Sequence, residues 1–211
     1  PLAKGQSTRV RAPFEVADEA EALLAQGVDV LHLCDAEFNI PPSHALAVCQ
    51  EFVRRGLGNK LRWYAYLSVI PFDHELAHAM RQAGCVGIDF TTDAACASML
   101  EVYKQPYAKE DIARAVRLCH DNGITVMTDL LLGGPGETPE TLTETIAFMK
   151  KIKPHGVGAG LGLRIYPGTP MDTWLLKQGP LEENPNIKRK YEGPIDLLKP
   201  TFYISQELGP Q

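Results

Sequence analysis

The chain has 211 residues, 45% of them hydrophobic and 22% charged, with a formal net charge of -5 at pH 7. That is enough for a sizeable core, and the acidic balance excludes a global attraction to nucleic acid or to an anionic membrane. No apolar run is long enough to cross a bilayer, no signal peptide is legible, and five scattered cysteines without a Cys-x-x-Cys pair suit a reducing cytoplasm rather than a disulfide framework.

Strand and helix alternate along the chain. Glu15–Gln26 has helical apolar spacing and stops at Gly27, and Val28–Leu33 follows as a strand. His44–Arg55 reads as a helix ended by Gly56, and the alternating aromatic segment Leu61–Ser68 reads as a strand. Asp73–Gln82 is the next helix and Cys85–Phe90 a short buried strand. Lys109–Asn122 carries Ile112, Ala115, Val116 and Cys119 on one face and ends at Gly123. Ile124–Leu132 has the strongest strand pattern, and Thr138 and Pro139 open a helix that runs to about Lys151. Val157–Ile165 is a glycine-rich strand. The expected fold is therefore α/β: a partial TIM-like parallel barrel over residues 1–178, with five βα units. Prolines break up residues 179–211, which we expect to form an irregular arm packed on the barrel, with a short helix near Ile195–Leu198.

Chemistry in such a sheet gathers at the carboxyl ends of the strands. The first strand runs into Cys34-Asp35-Ala36-Glu37-Phe38-Asn39, where two acids suit an ammonium group or a cation, or simply a solvated capping loop. The fourth runs from Asp129 into Gly133-Gly134-Pro135-Gly136-Glu137-Thr138. Glycine there permits close backbone approach to a ligand and Asp129 suits a ribose hydroxyl, although a tight strand-to-helix turn explains the glycines equally well. It is neither a phosphate loop nor a dinucleotide fingerprint. Arg164-Ile165-Tyr166-Pro167-Gly168-Thr169 is a ligand contact or a rigid turn. His74 and His78, one helical turn apart, read as a solvated face rather than a metal site. Lys188-Arg189-Lys190 reads as solvated surface, with a phosphate contact as the alternative.

Taken in order, Lys4-Gly5 with Arg9-Val10-Arg11, Asp35–Asn39, Ala83-Gly84-Cys85, Gly133–Thr138 and Tyr166-Pro167-Gly168-Thr169 resemble the radical S-adenosylmethionine (SAM) superfamily, in branches often linked to a cobalamin-binding domain. The resemblance covers residues 4–177. It implies six βα units, with a [4Fe-4S] cluster on a Cys-x-x-x-Cys-x-x-Cys loop after the first. SAM chelates the open iron and is cleaved to methionine and a 5'-deoxyadenosyl radical. That loop is absent here, so Pro1 is expected to lie just beyond it and the cluster ligands outside this sequence. Cys34, Cys49, Cys85, Cys96 and Cys119 have the wrong spacing to replace it and are expected to be ordinary thiols.

Carried over by resemblance, Asp35 and Glu37 hold the methionyl ammonium, and Asp93 stands where relatives place a longer side chain near SAM. Lys104 is the candidate base for the SAM carboxylate, and Asp129 for the ribose. Gly133 and Gly134 let backbone approach the adenine, Tyr66 and Ser68 face the pocket, and Arg164 is a further cofactor contact. No catalytic residue and no metal ligand is assigned.

The expected function is the SAM-binding core of a radical SAM enzyme acting on a small molecule, possibly with cobalamin in the intact protein, and inactive as these residues alone. The rival is a degenerate barrel serving as a scaffold. An aldolase-like TIM barrel fits poorly, because no lysine ends a predicted strand. An exposed edge on Val28–Leu33 is expected to invite self-association or coverage by residues 1–10 or 180–211.

Overall fold

A computed structural model describes residues 8–209. The predicted motif residues Lys4 and Gly5 lie outside that range. Strands β1 (Val30–Leu33), β2 (Arg62–Leu67), β3 (Cys85–Asp93), β4 (Thr125–Leu132) and β5 (Gly156–Leu161) form one sheet in the order β1-β2-β3-β4-β5. The β1–β2 and β2–β3 ladders are parallel. Helices α1 (Pro13–Ala25), α2 (Pro42–Arg54), α3 (His74–Gln82), α4 (Ala97–Val102), α5 (Lys109–Asp121), α6 (Pro139–Ile152) and α7 (Pro170–Leu176) complete the alternation. This is the sheet of a partial TIM-like barrel, as expected from the sequence. No described helix is long and apolar enough to cross a membrane.

The chain divides into two compact units. The first holds the residues up to Thr92, with Glu110–Thr128 and Ile152–Gly156. Its core forms because β2 alternates: Trp63, Ala65 and Leu67 are buried, while Arg62, Tyr64 and Tyr66 are exposed. Trp63 meets Phe38 and Phe52 edge-on, with centroids at 5.4 and 6.3 Å, and its indole N–H donates to the Ala83 carbonyl at 2.8 Å. Burying one such large side chain stabilises by about 1.5–3 kcal/mol. Arg55, just past α2, binds Asp18 and Glu21 of α1 at 2.6 and 2.8 Å and Glu51 of α2 at 2.7 Å, which fixes the two helices together. Strand β1 pairs with β2 and is the outer strand of the sheet. Thr8–Arg11 and Leu31–Cys34 line one cavity, and no ladder joins them.

The second unit holds Asp93–Lys109, Asp129–Lys151 and Val157 onward. Here the structure departs from three expectations. The predicted strand Val157–Ile165 breaks at Gly162, whose φ of +95° is left-handed, so that Leu163–Arg164 becomes β6 of a separate sheet. The tail is not irregular throughout. Strands β7 (Ile187–Arg189) and β8 (Thr201–Tyr203) pair antiparallel and build a three-stranded sheet in the order β6-β8-β7. The short helix expected near Ile195–Leu198 is a turn, because the Asp196 side chain accepts the Leu198 N–H at 3.0 Å in place of a helical bond. Helices α4 and α7 were not predicted. Ile165, Leu175, Leu181 and Tyr203 form this unit's small core, with Met171, Ile187, Ile195 and Leu197 packed around it.

Candidate cofactor-binding site

In the first unit, the loop after β1 is stitched to the exit of β2. The Phe38 N–H donates to the Tyr66 carbonyl at 2.8 Å. Asn39, fully buried, donates from Nδ2 to the Ser68 and Pro71 carbonyls at 2.9 and 2.7 Å and accepts the Ser68 N–H at 3.0 Å. Phe38 and Asn39 therefore point into the core, which leaves Asp35 exposed and Glu37 half-buried on the other side of the turn. Asp35 and Glu37 line a cavity of about 840 Å³ that also takes in Arg9, Arg11, His32 and His44. His44 Nε2 lies 2.7 Å from the Arg11 carbonyl, and Arg11 pairs with Glu19. Tyr66 is on the exposed face of β2, its ring 4.8 Å from that of His32. Ser68 is buried, and both of its backbone polar groups are bound by Asn39.

In the second unit, Asp93 ends β3 with a left-handed φ of +57°. The Gln105 carboxamide donates to its carboxylate. Burial pushes the Asp93 carboxyl above the ordinary aspartate range; the Gln105 bond pulls it back, and the charge of Asp129 pushes it up further. The two acids are thus electrostatic neighbours. Gln105 is aimed by the end of α4: Lys104, at φ +56°, donates its N–H to Glu101 O at 3.0 Å, and the Gln105 N–H bonds Leu100 O at 2.9 Å. This pair of bonds is a Schellman motif with lysine in the left-handed position. Lys104 itself is exposed, and the side chain on Asp93 is that of Gln105.

Asp129 sits half-buried in β4, on the same face as Met127 and Leu131, between buried Thr128 and Leu130. The glycine loop after β4 is held from within. Glu137, fully buried, accepts the Gly133 N–H, and its own N–H donates to Gly134 O at 3.1 Å. Burial pushes its carboxyl up, against the pull of the Gly133 and Gly134 N–H groups. The Gly133 carbonyl accepts the Ser205 N–H at 2.9 Å, so both polar backbone groups of Gly133 are engaged inside the chain. Gly134 is required by Tyr103: a Cβ at Gly134 would stand 2.3 Å from the Tyr103 hydroxyl, which donates to Leu131 O at 2.7 Å. Burial raises the Tyr103 hydroxyl, as do the charges of Glu137 and then Asp93. Tyr103, Gln105 and Glu137 were not singled out from the sequence. Only Glu137 had a signal, its place at the end of the glycine run.

Arg164 is exposed on β6, its guanidinium 4.8 Å from the centre of the Tyr166 ring. The following turn is braced as the glycine loop is. The Gly168 N–H donates to Asp172 at 2.8 Å, and Thr169 caps α7 by accepting the Asp172 N–H at 3.3 Å. That bracing accounts for Gly168 and Thr169 without a ligand.

Of the five cysteines, Cys49, Cys85, Cys96 and Cys119 are buried and Cys34 is exposed. No group of three or more potential metal ligands occurs among the described residues. The thiols therefore do not fit an iron–sulfur cluster.

The radical SAM superfamily profile matches residues 3–149. The tryptophan 2-C-methyltransferase of Streptomyces laurentii is 37% identical over 179 residues, which is 79% of this chain and 30% of that enzyme. An anaerobic magnesium-protoporphyrin IX monomethyl ester cyclase of Cereibacter sphaeroides is 34% identical over 140 residues, 65% of this chain and 23% of that enzyme. This chain thus spans less than a third of either relative. Among solved structures, the radical SAM methyltransferase TsrM of Kitasatospora setae, with cobalamin and a [4Fe-4S] cluster bound, superposes with a TM-score of 0.84 at 32% identity, covering 95% of this chain and 42% of TsrM. The cobalamin-dependent SAM radical enzyme OxsB, with aqua-cobalamin and SAM bound, shares the fold with a TM-score of 0.72 at 15% identity, covering 93% of this chain and 35% of OxsB.

Proposed function

This chain belongs to the radical SAM superfamily, and from that membership we propose that it is the SAM-binding core of an enzyme that acts on a small molecule. The observation that carries the reading is the pairing of Asp93 with Asp129. Asp93, at the end of β3, and Asp129, within the neighbouring β4, feel each other's charge. Hydroxyl and cationic donors favour such a pair of acids, and SAM has both in its ribose and its ammonium.

In this reading Asp129 accepts from the ribose, Asp93 is set by Gln105, and the braced Gly133–Gly134 turn is a rigid wall for the adenine. Lys104 and Arg164 are supporting contacts in that second unit; in the first unit, taken by itself, Glu37 with Asp35 suits an ammonium group, with Tyr66 and Ser68 as its supporting contacts. When bound, SAM supplies either a methyl group or, on reductive cleavage, a deoxyadenosyl group. This chain's residues bind and orient it.

The similarity to the tryptophan methyltransferase and to TsrM supports a cobalamin-dependent methyl transfer in the whole protein. The free thiols suit a cytoplasmic location. Among the described residues no strand pairs with the outer side of β1, an edge suited to pairing with a further strand or a second copy.

Because the cysteines do not fit a cluster, the 211 residues by themselves should not cleave SAM. Anaerobic reconstitution with iron and sulfide tests this: SAM binding without stoichiometric [4Fe-4S] uptake or 5'-deoxyadenosine is expected. Stoichiometric uptake with SAM cleavage would overturn it.

A further inference from the structure

We propose that the cavity beside the three-stranded sheet binds an organic carboxylate with an aromatic or aliphatic body, as the acid group of the substrate. As a binding site it stands on its own geometry; its assignment to the substrate rests on the SAM-core reading above. The cavity has a volume of about 730 Å³, within the range of small-molecule sites, about 300–1,000 Å³.

Lys188, Arg189, Lys190 and Lys199 line it. Four cations gather there in a chain whose net charge is -5, and among the described residues none of the four forms an ion pair. Like charges lining one cavity repel, and an anion relieves them.

Two of the cations are pre-positioned. The Arg189 guanidinium and the Lys199 ammonium stand 5.3 and 5.1 Å from the centre of the Tyr191 ring. That ring is anchored in turn, because its hydroxyl donates to Asp196 O and lies 2.9 Å from Thr201 Oγ1.

The remaining wall is apolar. Phe202 faces Lys188 directly across the β7–β8 ladder, so an ammonium and a ring share one side of the sheet. Leu161 and Ile204 continue the wall, and both reach the glycine loop: a Cβ at Gly133 would lie 3.3 Å from Leu161 and 3.1 Å from Ile204. A cationic rim over an apolar wall matches a carboxylate on a hydrophobic body better than a bare phosphate. The shared wall sets that ligand next to the loop we assign to the adenine, where a substrate belongs.

The test uses the whole 211-residue chain and calorimetric titration with 3-phenylpropionate, its neutral amide, phenethylamine and inorganic phosphate. We expect the acid to bind at least about tenfold more tightly than the amide or the amine, the step of a charge-assisted hydrogen bond, and more tightly than phosphate. The double variant Lys188→Glu/Lys199→Glu should lose that preference, Lys188→Arg/Lys199→Arg should keep it, and both should bind SAM as the parent does. Equal binding of acid and amide, phosphate binding as tight as the acid, or a preference surviving the double glutamate change would each overturn the proposal. If the glutamate variant fails to fold by circular dichroism, the acid–amide comparison on the parent chain decides. SAM binding without acid binding removes this site alone. Acid binding without SAM binding removes the adenosine reading and leaves the site.

Discussion

The side chain of Asn39 is bonded at both ends to the backbone of Ser68, donating to its carbonyl at 2.9 Å and accepting its N–H at 3.0 Å. One buried carboxamide thereby ties the loop that carries Asp35 and Glu37 to the end of β2. Asn39→Ala leaves the Ser68 N–H unpaired in a buried place, along with two carbonyls that shared the donor. Each such group costs about 1–3 kcal/mol, so chemical denaturation should show a loss of at least about 2 kcal/mol.

Asn39→Asp separates donor loss from packing loss. A carboxylate there would face the Ser68 and Pro71 carbonyls, so its folded-state pKa rises above its unfolded value. The folded state then holds a proton that the unfolded state releases, and stability is present at low pH and lost as pH rises. Asn39→Asp should recover towards the parent on acidification, while Asn39→Ala should not. Denaturation midpoints at several pH values check this.

Much of the fold was legible because period and punctuation agreed. Trp63, Ala65 and Leu67 alternate with Arg62, Tyr64 and Tyr66, and Gly27, Gly84 and Gly123 end helices where expected. What was hidden depends on contacts between distant residues. Lys104 takes the left-handed position usually left to glycine, so α4 and its cap had no sequence signal, and Gln105 was passed over for its charged neighbour. The tail resembled an arm because strands of three residues leave no periodicity to read. Gly162 ended a strand that its neighbours would have continued.

Gly134 and Gly136 separate two uses of glycine. A Cβ at Gly134 collides with Tyr103, whereas at Gly136 it meets open space at a left-handed φ of +74°. Gly134→Ala must move Tyr103 off Leu131 O, and should both lower the melting temperature and weaken SAM binding. Gly136→Ala pays only for its backbone conformation, about 1–2 kcal/mol, and should leave SAM affinity nearly unchanged. Thermal melts with parallel SAM titrations distinguish the two.

The five thiols should react unequally. Burial raises the Cys49 and Cys119 thiols, and takes Cys85 up to about 12. Cys34 is exposed. Brief alkylation of the native chain at neutral pH should modify Cys34 and spare those three, as read by mass spectrometry. Rapid labelling of Cys49, Cys85 or Cys119 in the folded chain would contradict the core described here.

Asp93 makes stability depend on pH in a set direction. Its folded-state pKa is raised, first by burial and further by Asp129. The carboxyl's unfavourable share is absent while both states are protonated, and develops as pH rises above the ordinary aspartate range. Asp93→Asn keeps an acceptor for Gln105 and suits the left-handed backbone. Its stability relative to the parent should therefore increase from acid to neutral pH. A flat difference in urea titrations would remove Asp93 from the coupled pair.

The adenosine end of SAM is assigned to Asp129 and its neighbours. The most direct test of that assignment is calorimetric titration of the parent chain and of Asp129→Ala with SAM, with circular dichroism confirming that both are folded. Loss of a hydrogen bond to a charged acceptor is worth about 1.5–3 kcal/mol. Saturable binding by the parent is therefore expected, weakened about 10- to 100-fold in the variant. No binding by the folded parent, or equal affinity in Asp129→Ala, would contradict it.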